Sequence, residues 1–182
     1  MLKIIVPQHE EYDEDQDLFV TIKAKTLSLE HSLVSISKWE SKWHKPFAVK
    51  EKRTAEEVLD YIKCMDVDDN VDQDALIQIA KRPEIIKSIN DYIDDPMTAT
   101  TFSEGAGGPP VREIITAEIV YYWMVANSIP FECQYWHLNK LLTLIKVCNI
   151  KNSPPQKMTA SQIAAQNKAL NEARRKKWNT RG

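Results

Sequence analysis

An acidic stretch of the sequence contains residue types that bind calcium. Asp66, Asp68 and Asn70 alternate as the oxygen ligands of a calcium loop do. The pattern then departs from that loop, because Val71 stands where the sharp turn needs glycine and Ile77 stands where a bidentate Glu is needed. We therefore predict an acidic turn without a calcium site.

Cys133 and His137 are four residues apart and could lie on one side of a helix as two zinc ligands. A structural zinc site needs about four such groups in closely spaced pairs, and the sequence has no second pair. A packed Cys and a hydrogen-bonded His are therefore favoured over a metal centre. We predict no metal site and no cofactor.

The sequence shows no catalytic motif. Its glycine-rich segment EGAGGPP, residues 104–110, leads into proline and lacks the Lys-Ser/Thr that completes a phosphate-binding loop. Neither a G-x-S-x-G elbow nor an H-E-x-x-H pair is present. A dispersed Ser/His/Asp set can be judged only in space. We predict that the protein is not an enzyme and has no catalytic residues.

Tryptophan is frequent for a chain of this length, with five in 182 residues. We assign Trp123 and Trp136 to the core. An aromatic residue flanked by bases, as Trp178 is, is typical of an interface anchor or of a single-strand nucleic-acid contact. The net charge of −2 and the lack of a second aromatic in the tail favour a protein interface over nucleic acid. The candidate protein-binding residues are Trp39, Trp43, Phe47, Arg174, Arg175, Lys176, Lys177 and Trp178.

The elements that must position these residues are mostly helical. Residues 2–6 and 18–24 have strand-like composition and predict a small hairpin around an acidic loop, with Pro7 closing the first strand. From residue 28 the apolar period changes to about 3.6, which predicts a helix ending before Pro46. The capping-box spacing of Thr54 and Glu57 starts a second helix over 54–65. Short helices follow, with Pro83 at a helix start.

The second half of the chain predicts a helical hairpin. Segments 111–126 and 135–148 are apolar and joined by a short break, so we expect them to pack as an antiparallel pair at the centre of the core. A polar helix over about 160–177 follows, with a capping box at Thr159 and Gln162. Because so polar a helix gains little from burial, we expect that it needs a partner.

The predicted fold class is therefore mainly α: a small N-terminal β-hairpin, a multi-helix bundle with a central antiparallel helix pair, and a polar C-terminal helix. The predicted divisions are 1–103 (hairpin plus helices), 104–110 (Gly/Pro linker), 111–152 (core helical hairpin) and 153–182 (polar, basic helix and tail). No apolar run reaches the length that crosses a bilayer, and the start of the chain is unlike a secretory signal. We expect no membrane partner and a cytoplasmic location.

Charge is concentrated near the two ends. Residues 9–17 hold six acids, and residues 174–181 hold five bases and no acid. One interpretation is that both are solvated surfaces. The other is that opposite ends attract each other, within one molecule or between neighbours, and we therefore expect self-association.

Three stretches carry a resemblance: EHSLVSISKWESKWHKPF (30–47), EIVYYWMVANSIPFECQYWHLNKLLTLIKVCN (118–149) and ALNEARRKKWNTRG (169–182). Over about a third of the chain they resemble tail assembly chaperones of long-tailed bacteriophages. The resemblance implies a helper in the host cytoplasm that binds the helical tape-measure protein and recruits tail-tube subunits. Such helpers are often made in two lengths, and the end at Gly182 is the one expected for the shorter product.

Two other functions remain open from the sequence. One is a structural component of the phage particle, at its neck, tail or head. The other is a small regulatory or nucleic-acid-binding protein that uses the basic tail, for which binding to DNA would depend steeply on salt.

Overall fold

The computed structural model describes residues 1–13, 17–49, 51–102, 114–153 and 160–178. The chain forms two compact units, Met1–Lys151 and Asn152–Gly182. The predicted fold class, mainly α with a small N-terminal β-hairpin, is confirmed at that level. The predicted Gly/Pro linker, residues 104–110, lies outside the described residues.

The described elements follow one another along the chain as strands and then helices. The strands are β1 (Leu2–Val6), β2 (His9–Asp13), β3 (Leu18–Ile22) and β4 (Lys25–Leu29). The helices are α1 (Leu33–Trp43), α2 (Ala55–Cys64), α3 (Gln73–Ala80), α4 (Pro83–Asp94), α5 (Ala117–Ala126), a 3-10 helix (Phe131–Tyr135), α6 (Leu138–Asn152) and α7 (Ala160–Trp178).

The four strands form one long antiparallel hairpin with an interruption at Pro7. Val6 faces Lys25 in the β1–β4 ladder, and three residues further along His9 faces Ile22 in the β2–β3 ladder, so the register is continuous. Proline cannot donate a ladder hydrogen bond, which explains why β1 ends at Val6 as predicted.

The predicted strand pairing was wrong in one respect. The partner of β1 is Lys25–Leu29 rather than residues 18–24, and half of the expected acidic loop is strand β2. The reason is burial: in this register Leu27 and Leu29 of β4 are completely buried, and Ile4 and Val6 of β1 are nearly so. A shorter hairpin would have left those β4 residues outside the sheet.

Helix α1 lies at the centre of the core, which corrects the prediction of a central α5–α6 pair. It packs against α2, α5 and the 3-10 helix, and it buries Leu33, Ile36 and Trp39. Helix α6 buries only Leu141 and Ile145 along its length. The 3-10 helix intervenes between α5 and α6, so the two helices are not joined by the short turn that an antiparallel pair requires.

Local capping explains several helix boundaries. The side chains of Thr54 and Glu57 each bond the other's backbone N–H at the start of α2, as predicted. Pro83 occupies the first turn of α4, also as predicted. Helix α1 begins at Leu33 and not at residue 28, because β4 extends to Leu29 and Ser32 then caps the helix.

The unit Met1–Lys151 includes the described residues on both sides of the Gly/Pro segment. The unit Asn152–Gly182 contributes α7, whose described side chains are all exposed. Thr159, predicted to cap this helix, lies outside the described residues. In the described part of the chain, no helix combines the length and the apolar character that crossing a membrane requires.

Candidate protein-binding surface

The predicted anchors near the end of α1 lie in or against the core. Trp39 is only 2% exposed, and its indole N–H donates to the Glu57 carbonyl oxygen of α2 at 2.9 Å. Trp43 is half-buried, and its indole N–H donates to Asp60 Oδ2 at 2.9 Å. Both indoles therefore join α1 to α2.

Phe47 belongs to the same interior group. Its ring centroid lies 4.2 Å from that of Tyr61 and 5.4 Å from that of Trp39. The Arg53 guanidinium lies over the Phe47 ring at 4.0 Å and donates to the Phe47 carbonyl oxygen. We call Trp39, Trp43, Phe47, Arg53 and Tyr61 the tryptophan cluster. Trp39 is not available to a partner in the folded unit, which corrects the assignment of this residue as an anchor.

The other predicted anchors are on α7. Arg174, Arg175, Lys176, Lys177 and Trp178 are all exposed there, with Trp178 71% exposed and Lys177 Nζ 5.9 Å from the centre of its ring. The predicted set is thus divided between the interior of one compact unit and the surface of the other.

The residues tested as metal ligands have other partners. The Asp66 carboxylate accepts the backbone N–H of Val71 at 2.6 Å and that of Asp68 at 3.3 Å. His137 is buried, with Nε2 2.9 Å from the Tyr92 carbonyl oxygen and Nδ1 accepting from Asn139 N at 3.3 Å. Among the described residues, no group of three or more His, Cys, Asp or Glu is arranged to hold a metal ion.

Helix α5 is apolar on both faces, yet only one face is buried. Ala117, Val120 and Met124 face the core, at positions three and four apart. On the other side Tyr122 is 67% exposed and Val125 is 60% exposed. Apart from the exposed Glu118 in its first turn, this outer face is apolar, which is unusual for a face that its own chain does not cover.

The 3-10 helix extends this outer face. Phe131 is 54% exposed, and its ring centroid lies 6.3 Å from that of Tyr121 on α5. The Tyr121 hydroxyl donates to Gln134 Oε1 at 2.9 Å, which fixes the helix against the 3-10 turn. Burial raises the pKa of Tyr121, and the neighbouring Tyr135 phenol and Glu118 carboxylate raise that pKa further.

We group the exposed Tyr122, Val125, Phe131 and Tyr135 of the Met1–Lys151 unit with the half-buried Tyr121 and call these five residues the aromatic surface. Tyrosine, tryptophan and phenylalanine are enriched at the centres of protein interfaces, where a rigid ring contributes contact area at little cost in side-chain entropy. The composition of the aromatic surface is therefore that of a protein-binding site.

A groove adjoins the aromatic surface at Tyr135. Its volume is about 270 Å³, and Val34, Met65 and Val67 supply apolar parts of its lining. Lys38 also lines it, as does Glu30. A groove of this size accepts one or two apolar side chains, with charged groups beside them to orient a partner.

The aromatic surface is mounted on the core by buried hydrogen bonds. Glu40 of α1 is 9% exposed, and its carboxylate accepts the Ala117 N–H of α5 at 2.7 Å and the Phe47 N–H at 2.6 Å. At the far end of the 3-10 helix, Leu138 N donates to the His31 carbonyl oxygen at 2.7 Å. Both ends of the segment that carries the aromatic surface are thereby fixed to the α1 region.

A buried histidine lies at the second of these attachments. His31 is 3% exposed, with Nδ1 2.5 Å from the Tyr61 hydroxyl and its ring 5.1 Å from that of His137. Burial, together with smaller effects of the neighbouring His137 and Arg53 charges, lowers the pKa of His31 to about 3. The imidazole is therefore neutral at physiological pH.

The sequence predictions did not include the aromatic surface, because α5 was expected inside the core. Trp123 is packed against the core as predicted, but Trp136 is 39% exposed and Lys140 Nζ lies 4.3 Å from the centre of its ring, so its assignment to the core was wrong. One signal was present: α5 has no polar stripe, and a helix without one must be covered on all sides by its own chain or by another.

No protein-family model, curated protein or solved structure was found that matches this chain.

Proposed function

We propose that the protein acts by binding other proteins and that the aromatic surface is its main docking site. The observation that carries this proposal is the exposure of Tyr122, Val125 and Phe131, each more than half exposed, on a segment whose other face is tied into the core. An exposed apolar area that is held rigidly lowers the solubility of a protein, and a partner that covers the area removes this effect.

The shape favours a helical partner. On the outer face of α5, Tyr122 and Val125 form a short apolar strip that follows the exposed Glu118, and the groove beside Tyr135 is wide enough for an apolar side chain from a second helix. An amphipathic helix that lays its apolar face on such a strip is a recurrent mode of recognition. Lys38 at the groove would pair with an acid that flanks the apolar face of the partner.

Together with the resemblance to tail assembly chaperones, these features support a specific client. We propose that the protein binds the long helical tape-measure protein of a bacteriophage tail, keeps it soluble and brings tail-tube protein to it. The exposed bases Arg174, Arg175, Lys176 and Lys177 of α7 would then contact acids on tube subunits, because four consecutive basic residues attract an acidic surface. No catalytic step is part of this function.

Replacing the aromatic surface tests the docking site. The double variant Tyr122→Ser, Val125→Ser should lower the affinity for tape-measure protein at least about tenfold, as expected when two central interface residues are truncated. Ile77→Ser on α3 is the matched control, because Ile77 is also an exposed apolar residue of a helix, at 42% exposure. Unchanged affinity of the double variant in a co-expression pull-down and titration would refute the docking site.

A truncation tests the basic helix separately. Cutting the chain after Met158 removes α7, and we expect a folded remainder with weaker binding to tube protein, since Met1–Lys151 is a compact unit by itself. Full capture of both partners by the truncated chain would assign no role to α7.

Mass spectrometry of purified particles decides between a chaperone and a structural component. A chaperone should be absent from the particle after assembly. Presence in a fixed number of copies per particle would instead identify a component of the neck, tail or head.

A further inference from the structure

The outer half of the hairpin, strands β2 and β3, forms an arm whose large apolar side chains beyond the half-buried pair His9 and Ile22 are exposed. Phe19 is 70% exposed, Leu18 51%, Tyr12 47% and Val20 44%. The base of this arm is fixed by His9, whose Nε2 lies 3.1 Å from Asp74 Oδ1 on α3. A two-stranded ribbon with no covered face is marginally stable in water, so the arm gains stability from any surface that pairs with it.

The two edges of the arm differ in charge. Strand β3 reads LFVTI, which has no charged residue, no proline and high β-propensity. Strand β2 reads HEEYD and carries three acids. Within the described residues neither strand has a second strand as a neighbour.

Edge strands with unpaired backbone groups attract other strands, and charged side chains are the usual protection against this. By that criterion β2 is protected and β3 is open. Neither a charge nor a proline separates the N–H and C=O groups of β3 from an incoming strand. The β3 edge of the arm can therefore pair with another strand, whereas the acids of β2 disfavour pairing at the other edge.

We propose that β3 pairs antiparallel with β3 of a second copy of this chain, about a twofold axis at Val20. In this register Leu18 faces Ile22 of the second copy, and Phe19 faces Thr21. The result is a four-stranded sheet in the order β2, β3, β3, β2, in which apolar and β-branched residues of the two copies face each other.

The distribution of charge favours a second copy as the occupant. In the four-stranded sheet the two acidic strands lie at opposite edges, about 14 Å apart for three strand spacings. That distance exceeds the screening length of about 8 Å at physiological ionic strength, so the acids of the two copies repel each other weakly. Pairing through β2 about a twofold axis at Glu10 would instead place the Glu10 residues of both copies opposite each other, with Cα atoms about 5 Å apart, which is unfavourable.

A charge at the twofold axis tests the pairing in the full chain. Val20→Lys places two lysines opposite each other, and we expect the dissociation constant of the dimer, measured by sedimentation equilibrium, to rise at least about tenfold. Glu10→Lys, an exposed change of charge on β2, is the matched control and should leave dimerisation in place. A wild-type chain that stays monomeric at about 100 µM, or a Val20→Lys dimer of unchanged strength, would overturn the proposal.

A cross-link gives a second measurement that does not depend on loss of the dimer. Two cysteines facing each other across an antiparallel pair have Cα atoms about 4.5–5.5 Å apart, within the range of a disulfide. We expect Val20→Cys to form a covalent dimer under mild oxidation and Glu10→Cys, with the same number of thiols, to form little. Equal cross-linking at both positions would contradict the β3 pairing.

This inference is independent of the proposed function. The Tyr122→Ser, Val125→Ser variant should dimerise like the wild type, and the Val20→Lys variant should keep its tape-measure binding. A dimer lost in the first variant and retained in the second would place self-association on the aromatic surface and refute pairing through β3.

Discussion

Two groups of aromatic residues lie in the Met1–Lys151 unit and do opposite things. The tryptophan cluster is enclosed between α1 and α2, and each of its indole N–H groups has a hydrogen-bond acceptor there. The aromatic surface lies on α5 and the 3-10 helix, where Tyr122 and Phe131 face solvent. Residues of the same chemical type therefore hold the fold together in one place and remain open to a partner in the other.

The difference teaches that aromatic content alone does not locate a binding site. Trp39 and Trp43 attract attention in the sequence because of their size and their spacing of one helical turn. In the structure that spacing directs both indoles to the same neighbouring helix, and hence inward. Tyr122 of α5 is exposed because the opposite face of the helix, with Val120 and Met124, already packs on the core.

The largest expected effect on stability concerns the tryptophan cluster. Trp39→Ala should lower the free energy of unfolding by about 3–5 kcal/mol, because it leaves a cavity and removes the hydrogen bond to the Glu57 carbonyl. Urea unfolding followed by circular dichroism measures this loss. A change below about 1 kcal/mol would mean that the cluster does not hold α1 against α2.

Acid should destabilise the interior around His31, which contacts Tyr61 of the tryptophan cluster. His31 has a pKa of about 3 in the folded chain, whereas an unfolded His takes up a proton below pH about 6.5. The unfolded state therefore binds the extra proton first, and stability falls as the pH drops below 6.5. Between pH 7 and 5.5 the loss should be about 1 kcal/mol from this residue.

Urea unfolding at a series of pH values checks this expectation. His31→Gln should flatten the dependence on pH between 7 and 5.5. His44→Asn is the control, because His44 is exposed and has a positive φ of 53° that Asn tolerates, and it should leave the dependence as it is. An unchanged slope in His31→Gln would assign the acid sensitivity to another group.

The smallest expected effect on stability concerns the aromatic surface. Tyr122→Ser should change the free energy of unfolding by no more than about 0.5 kcal/mol, since the ring is mostly exposed. The same variant should weaken client binding markedly, in contrast to Trp39→Ala. Thermal unfolding of the free chain, measured beside the binding titration, separates the two roles; a Tyr122→Ser chain as unstable as Trp39→Ala would contradict the division.

The local parts of the fold could be predicted from the sequence. The caps at Thr54 and Pro83 and the end of β1 at Pro7 follow from hydrogen-bonding rules within a few residues, and the structure has all three. The pairing of β1 with β4 could not be predicted, because it is set by which residues the helices bury.

The candidate site was the least predictable part for the same reason. The outer face of α5 and the inner face have nearly the same hydropathy, so periodicity does not say which one packs on α1. The hydrogen bond from Ala117 N to the Glu40 carboxylate holds the start of α5 against α1, and it joins residues 77 positions apart in the chain.

The Glu40 carboxylate has a consequence for how a client is recognised. It accepts one N–H from the start of α5 and one from the segment after α1. If α5 tilted away from the core, the buried carboxylate would lose one of these two hydrogen bonds, which is unfavourable for a charged group. In the proposed function, the aromatic surface would therefore act as a preformed, rigid binding site. The entropic cost of becoming ordered on association then falls on the client, whose sequence, more than this one, sets the affinity.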